Sequence, residues 1–245
     1  MPGRFEFQPN FDIGPGACAV FMTRLVEISD IRVDDSVLSI EERNRCARFV
    51  QLADQNRFIA GRTMLRTVLS TMLGIDVNAI EFEFVNGKPF LHKKHQSALG
   101  FNISHSGSRV GLAVVGEGNV GVDIEQHDSR IDLDQIARRV MSQNELNEFD
   151  LTDTCDKTRQ FFRLWAQKEA VLKCIGSGFS IEPARLDLGL SAENPRSVEF
   201  NHQHFRLHSN LINDGPEYSV AVAVDQGVTD VRFCEFDYLS LGSEI

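Results

Sequence analysis

The sequence predicts an α+β fold built from two similar, pseudo-twofold halves, each a long helix packed on a small, mostly antiparallel sheet. A helical apolar period runs from Asp54 to about Leu73 and gives way to short segments with a period of two. The same order recurs later, where a helical segment at 161–173 ends near Gly176 and a β-rich tail follows. Such a duplication predicts a boundary near Glu125.

Local signals justify the elements of the first half. Residues 17–28 are predicted to form a strand, and Ser39 opens a helix with two acidic residues in its first turn. Gly74 stands where the C-cap of the long helix belongs. The dipeptide Asn86-Gly87 favours a tight hairpin turn between two strands. Further strands are predicted at 100–104, 109–115 and 120–125.

In the second half, a short helix is predicted at 133–139. Ser142 with Glu145 forms an S-x-x-E capping box that begins the next helix, and 161–173 is the strongest helical segment. Strands are then expected at hairpin spacing, at 184–188, 197–200, 204–208, 218–224 and 231–236. We therefore assign residues 1–125 to the first half and 126–245 to the second.

Composition and charge restrict the class of protein. With 245 residues, 42% of them hydrophobic and 24% charged, the chain is typical of a globular protein with its own core. A formal net charge of −10 argues against a nucleic-acid partner, which needs a basic face for the phosphates. One local basic cluster suits a small polyanion. It contains Arg43, Arg45, Arg48, Arg57, Arg62 and Arg66.

Cysteine usage and hydropathy indicate a compartment. The five cysteines form no C-x-x-C pair, which indicates reducing surroundings, and we expect the cytoplasm. The N-terminal residues lack the apolar core of a signal peptide, and no run approaches the roughly 20 apolar residues of a membrane span. We therefore expect no export and no membrane partner.

Two motifs are set aside because of their context. Residues 116–121, G-E-G-N-V-G, match the dinucleotide-binding fingerprint, but a predicted strand follows where a helix is required, so a hairpin turn is expected. Ser104 and His105 suggest a hydrolase pair, but neighbours on a strand point to opposite faces. His105 stays a candidate hydrogen-bond donor to a phosphate, with an ordinary strand-end histidine as the alternative.

Two patterns point to chemistry. Asp123 and Glu125 share one face at the end of an apolar strand, where like charges are unfavourable unless a cation such as Mg²⁺ lies between them. The alternative is a strand end with two solvated acids. On the later helix, Glu169 and Lys173 share a face with Trp165, the only tryptophan. This indicates a partly buried functional pair, with an ordinary surface ion pair as the alternative.

Three motifs in this order resemble the Sfp-type 4′-phosphopantetheinyl transferases: F-N-I-S-H-S-G at 101–107, G-V-D-I-E at 121–125 and W-A-Q-K-E-A-V-L-K at 165–173. N-G-K-P-F at 86–90 and the arginine-rich helices at 42–66 are similar to further parts of that family. The resemblance implies the 4′-phosphopantetheinyl transferase fold in a monomer. It also implies coenzyme A binding in the first half and carrier-protein contact in the second.

The activity implied by the resemblance is Mg²⁺-dependent transfer of the 4′-phosphopantetheine arm of coenzyme A to a serine of an apo carrier protein, with release of adenosine 3′,5′-bisphosphate. By position, Asp123, Glu125 and Glu169 resemble the family's Mg²⁺ ligands. Asp123, Glu169 and Lys173 are the expected catalytic residues, with Glu169 as candidate acceptor of the serine proton. The expected coenzyme A contacts are Arg45, Arg48, Arg62, Arg66, Lys88, Ser104, His105 and Lys173.

The resemblance also suggests where partners bind. The family often has a lysine where Glu42 stands. The region from 126 to Ser142 resembles the part that meets the carrier protein, with Arg138, Arg139 and Met141 as expected contacts. Two other functions stay open: a homologue that binds coenzyme A or a carrier without catalysis, and a Mg²⁺-dependent nucleotide phosphohydrolase.

Overall fold

The computed structural model describes residues 13–25, 35–85, 88–176, 181–213 and 215–236. Within these ranges lie five α-helices and ten strands. The helices are α1 (Ile40–Cys46), α2 (Leu52–Leu73), α3 (Leu133–Val140), α4 (Gln143–Asp150) and α5 (Thr154–Ile175). The strands are β1 (Ala17–Arg24), β2 (Phe82–Val85), β3 (Lys88–Leu91), β4 (Gly100–Ser106), β5 (Arg109–Val115), β6 (Val120–Gln126), β7 (Arg196–Phe200), β8 (Gln203–Asn213), β9 (Glu217–Asp225) and β10 (Asp230–Glu235).

The chain divides into two compact units. The first consists of the residues up to Glu117 together with those from Asp230 onward, and the second spans Gly118–Thr229. The first unit holds a sheet of order β10-β1-β5-β4, in which β1 and β10 are parallel and the other pairs antiparallel. The hairpin β2-β3 belongs to it as well. The second unit holds the antiparallel sheet β6-β9-β8-β7.

Each unit combines a 22-residue helix with a four-stranded sheet. Both helices, α2 and α5, end at a glycine in the left-handed conformation, Gly74 with φ 64° and Gly176 with φ 74°. The predicted α+β class, with two similar and mostly antiparallel halves, is therefore confirmed.

Two separate apolar cores hold the long helices on their sheets. In the first unit, α2 buries Met64, Leu65 and Val68 in one cluster with Leu112 and other residues of β1, β4 and β5. In the second, α5 buries a stripe of small residues against β8 and β9. This stripe allows a close approach of the helix to the sheet. No helix in the described ranges is long and apolar enough to cross a membrane.

The division between the units differs from the boundary expected at residue 125. Strand β6 pairs with β9 and so belongs with the second unit, whereas β10 pairs with β1 and returns the chain to the first. The segment 116–121 is consequently the connection between units and not a hairpin turn, because β5 and β6 lie in different sheets. The expectation that a strand follows this segment is confirmed.

Most predicted elements are present, but several have other bounds; strand β8, for example, extends to Asn213 beyond the predicted 204–208. Helix α5 begins at Thr154 and not at 161, because its first turns are polar and carry no apolar period from which the sequence could predict them. The strand expected at 184–188 is wrong: a 3₁₀ turn, Pro183–Arg185, and an irregular segment stand there. The first strand ends at Arg24. The turn at Asn86-Gly87 and residues 26–28 lie outside the described residues.

Candidate active site

Strand β6 places two carboxylates on one face of the second unit. Asp123 pairs with Ala221 and Glu125 with Ser219 across the β6-β9 ladder, so both side chains project in the same direction. Asp123 is buried, with 3% of its surface exposed, and Glu125 is half-buried. A buried carboxylate requires compensating charge or hydrogen bonds.

Helix α5 lies directly against β6 because Gly121 has no side chain. A Cβ atom at Gly121 would lie 2.0 Å from the carbonyl oxygen of Ala170 and 2.5 Å from the backbone nitrogen of Cys174. Only glycine permits this contact between helix and strand backbones. The close approach places the turn of α5 that carries Glu169 and Lys173 beside Asp123.

Lys173 supplies the compensating charge. Its Nζ atom lies 2.5 Å from Oδ1 of Asp123 and 3.4 Å from the carbonyl oxygen of Val122. Burial, and then the negative charge of Asp123, raise the pKa of the half-buried Glu169, while Lys173 opposes this shift. Three of the predicted site residues, Asp123, Glu169 and Lys173, therefore interact electrostatically.

Glu125 is connected to the helix through Trp165. The indole Nε1–H of Trp165 donates to Oε1 of Glu125 at 2.7 Å. Trp165 lies one turn before Glu169 on α5, so the predicted stripe of Trp165, Glu169 and Lys173 faces the acidic end of β6. The sequence indicated this stripe but not the hydrogen bond.

The carboxylates suit a hard divalent cation by their chemistry. Asp123 and Glu169 offer carboxylate oxygens as ligands, and the negative charge of Asp123 repels that of the half-buried Glu169. The ammonium group of Lys173 forms an ion pair with Asp123. In the described part of the chain, no three His, Cys, Asp or Glu side chains are grouped so as to hold a metal ion. The carboxylate oxygens suit Mg²⁺ by donor type and not by an assembled ligand geometry, and the ligand assignment to Asp123, Glu125 and Glu169 stays a prediction.

Lys168 lies outside this site although it belongs to the same sequence motif. Its ammonium group is fully buried and lies 2.6 Å from Oε2 of Glu145, which is also fully buried. It donates to the carbonyl oxygens of Pro183 and Leu186 at 2.9 and 2.6 Å. Sequence reasoning identified Glu145 as part of a capping box but missed its ion pair.

In the first unit, Arg66 is buried and engaged in internal contacts. Its Nε–H donates to Glu42 at 2.8 Å, and a further nitrogen lies 2.8 Å from the same carboxylate. It also donates to the carbonyl oxygens of Ile80 at 2.9 Å and Val77 at 3.3 Å. These contacts hold α1, α2 and the segment before β2 together, so a structural role explains the position of Arg66.

Arg62 is buried beside the same carboxylate. Its Nε atom lies 3.7 Å from Oε1 of Glu42, and its guanidinium lies 5.4 Å from the ring centre of Phe58. The rings of Phe82 and Phe84 are each 5.8 Å away. Glu42 stands at the position where the family often has a lysine, and its negative charge offsets those of Arg62 and Arg66.

The remaining predicted contacts to coenzyme A differ in exposure. Arg45, Arg48 and His105 are exposed, Lys88 is half-buried and Ser104 is buried on β4. Arg45 lies 5.8 Å from the ring centre of Phe58. The exposed cations of α1 and its C-terminal turn are therefore the more accessible members of the basic cluster.

The segment expected to meet a carrier protein is partly exposed. Arg138 and Arg139 lie in the last turn of α3 and are exposed. Met141 is 2% exposed because it packs in a cluster with Ala137 and Phe149. The expectation that Met141 is an apolar contact for a partner is therefore wrong.

Comparisons with known proteins identify the family. Residues 119–223 match the 4′-phosphopantetheinyl transferase superfamily, and residues 28–117 match the family described as 4′-phosphopantetheinyl transferase, N-terminal. The two matches divide the chain at the same place as the first boundary between the structural units, between residues 117 and 119. A crystal structure of the Thermotoga maritima holo-[acyl-carrier-protein] synthase aligns with 44% of this chain and 64% of that chain, at 18% identity and a TM-score of 0.30.

Curated relatives extend over most of the chain. The 4′-phosphopantetheinyl transferase Sfp of Bacillus subtilis is 30% identical over 188 residues, which cover 76% of this chain and 82% of Sfp. HetI, a 4′-phosphopantetheinyl transferase of Nostoc, is 31% identical over 67% of this chain and 70% of its own length. The human L-aminoadipate-semialdehyde dehydrogenase-phosphopantetheinyl transferase is 33% identical over 63% of this chain and 53% of its own. The chain belongs to the 4′-phosphopantetheinyl transferase superfamily and is an enzyme of that class.

Proposed function

We propose that this protein transfers the 4′-phosphopantetheine arm of coenzyme A to a serine hydroxyl of an apo carrier protein in a Mg²⁺-dependent reaction. The observation that carries the proposal is the contact of Asp123 with Lys173, beside Glu169, at the end of β6. Membership of the transferase superfamily supports the reaction class.

The reaction replaces a phosphoanhydride bond of coenzyme A by a phosphoester bond to the serine. The serine oxygen forms a bond to the β-phosphorus of coenzyme A, and the bond from that phosphorus to the bridging oxygen breaks, which releases adenosine 3′,5′-bisphosphate. Glu169 accepts the serine proton, a role open to a carboxylate that interacts with both Asp123 and Lys173. Lys173 donates to the phosphate oxygens and stabilises the departing phosphate. When bound by Asp123, Glu125 and Glu169, Mg²⁺ would neutralise charge on the pyrophosphate.

Binding of coenzyme A draws on the basic residues of the first unit. We assign the nucleotide and its phosphates to Arg45, Arg48, Lys88, Ser104 and His105, since Arg45, Arg48 and His105 are exposed. Arg62 and Arg66 support this surface from inside through Glu42. Arg138 and Arg139 are exposed on α3 and suit an acidic carrier protein. A monomer acting in the cytoplasm stays a prediction.

Intact-mass spectrometry tests the reaction directly. An apo acyl carrier protein incubated with this enzyme, coenzyme A and Mg²⁺ is expected to gain the mass of one phosphopantetheine arm. The gain is expected to disappear with EDTA and with Asp123→Ala. No gain on acyl, peptidyl and aryl carriers would contradict the proposal, and breakdown of coenzyme A without any carrier would indicate a phosphohydrolase instead.

Glu169→Gln tests the proton acceptor. The amide keeps the size of the side chain but cannot accept the serine proton, so we expect turnover at saturating substrates to fall about 100-fold or more. Glu193→Gln is the control for the chemical change, because Glu193 is exposed and belongs to none of the predicted site residues. Unchanged turnover in Glu169→Gln would exclude Glu169 as the base.

A further inference from the structure

Trp165 makes a contact to the acidic site that packing alone does not require. Its indole N–H donates to Oε1 of Glu125 at 2.7 Å, a short bond to a carboxylate. A phenylalanine would fill a similar volume without this donor. The hydrogen bond therefore needs an explanation beyond burial of the ring.

The direction of the indole N–H is set by its surroundings. The ring of Trp165 stacks on that of Phe161, with the planes 10° apart and the centres 6.4 Å apart. Phe161 is buried and packs edge-on against Phe162 at 5.3 Å. Trp165 itself packs on the apolar cluster formed by α3, α4 and the first half of α5. The packed rings consequently fix the orientation of the indole N–H.

The acceptor is a long side chain with several rotatable bonds. Glu125 projects on the same face of β6 as Asp123, but it is less buried than Asp123. A half-buried glutamate still loses side-chain entropy when a ligand fixes it. The bond from Trp165 takes one acceptor position on Oε1, and a carboxylate has about four. One such bond can therefore orient the carboxylate without using all of its acceptor positions.

We infer that Trp165 is a positioning residue: its N–H fixes the orientation of the Glu125 carboxylate and thereby strengthens divalent-cation binding at the acidic end of β6. This inference rests on the proposed function, in which Glu125 is a metal ligand. Groups that orient metal ligands through hydrogen bonds commonly change metal affinity by 10-fold to 100-fold, as an order of magnitude, when they are removed.

Mn²⁺ binding, measured without turnover, tests the inference. The probe is Mn²⁺ with coenzyme A and no carrier protein, and free Mn²⁺ is followed by electron paramagnetic resonance. We expect Trp165→Phe, which keeps the stacked ring, to weaken binding about tenfold. In the Glu125→Ala background the same change is expected to have no further effect, since the acceptor is gone.

The possible results distinguish failure of the proposed metal site from failure of the proposed role of Trp165. Equal Mn²⁺ binding by the wild type and Asp123→Ala would overturn the metal site and the inference with it. Loss of binding in Asp123→Ala with wild-type affinity in Trp165→Phe would overturn the inference alone. Equal weakening by Trp165→Phe with and without Glu125 would also overturn it, because the effect would then come from packing.

The intact chain offers a second readout. Trp165 is the only tryptophan, so its fluorescence reports on this position alone. Paramagnetic Mn²⁺ bound near Glu125 is expected to quench this emission. The quenching is expected to depend on the Mn²⁺ concentration in the same way as the binding measured by electron paramagnetic resonance, and Asp123→Ala is expected to abolish it. Binding by resonance without any quenching would place the ion away from Trp165 and overturn the inference.

Discussion

Replacement of Gly121 by alanine is expected to destabilise the second unit by about 3 kcal/mol or more, at the upper end of the cost of overpacking. The added Cβ atom would lie 2.0 Å from the carbonyl oxygen of Ala170 and 2.5 Å from the backbone nitrogen of Cys174. Both atoms belong to the backbone of α5, so no side chain can rotate away to make room. The helix itself has to move.

The same displacement is expected to reduce activity in any Gly121→Ala protein that folds. Lys173 and Asp123 are 2.5 Å apart only because α5 and β6 touch. A shift of about 1 Å at a reacting centre is enough to lower a rate about 100-fold. Urea unfolding measures the stability, and the carrier-protein mass assay measures the rate.

Gly227→Ala is the matched control within the same unit. A Cβ atom there meets no other atom within 4 Å, and Gly227 does not have a positive φ angle. Its effect on unfolding is expected to stay within about 0.5 kcal/mol. Similar stability of the Gly121 and Gly227 variants would show that the contact of α5 with β6 is looser than described.

The fold was predictable where signals are local. Ser39 and Ser142 start helices through capping boxes, and Gly74 and Gly176 end the two long helices. The parallel pairing of β10 with β1 was not predictable, since these strands are about as far apart in the chain as any two elements. The pairing of β6 with β9, which places β6 in the second unit, is likewise non-local, and it is the reason that the boundary differs from the one expected at 125.

The faces that carry the candidate site residues were predictable, but the contacts between these residues were not. Alternation on β6 and the spacing on α5 put Asp123 and Glu125 on one stripe and Glu169 and Lys173 on another. The pairing of these stripes depends on Gly121, whose role appears only when the helix and strand are docked. Periodicity likewise cannot show whether an arginine on α2 faces solvent or a buried glutamate.

The irregular segment after α5 has a specific physical cause. Lys168 donates to the carbonyl oxygens of Pro183 and Leu186, while Glu145 accepts from the backbone N–H of Leu188 at 2.7 Å. These backbone groups are bonded to buried charged side chains and are no longer available for a strand ladder. The apolar alternation at 184–188 was therefore misleading.

Lys168→Met is expected to cost about 3–5 kcal/mol, because it leaves the carboxylate of Glu145 buried without a counter-charge. Both side chains are fully buried and 2.6 Å apart. Burial lowers the pKa of Lys168, and Glu145 opposes that effect. The double variant Glu145→Gln with Lys168→Met removes both charges, so we expect it to recover at least about 1.5 kcal/mol.

Lys157→Met provides the comparison on the same helix. Lys157 is partly exposed and lies 3.7 Å from Asp134, so its loss is expected to cost no more than about 1 kcal/mol. Urea midpoints measure all three variants. Wild-type stability in Lys168→Met, or no recovery in the double variant, would contradict the role of the buried pair.

The outcome also decides what Lys168 does within the W-A-Q-K-E-A-V-L-K motif. An ammonium group has three donors, and those of Lys168 face Glu145 and the carbonyl oxygens of Pro183 and Leu186. None remains for a phosphate of coenzyme A. A structural anchor predicts lost stability with turnover retained in the folded fraction, whereas a phosphate ligand would predict the reverse. The phosphate contact of this motif is therefore expected from Lys173 alone.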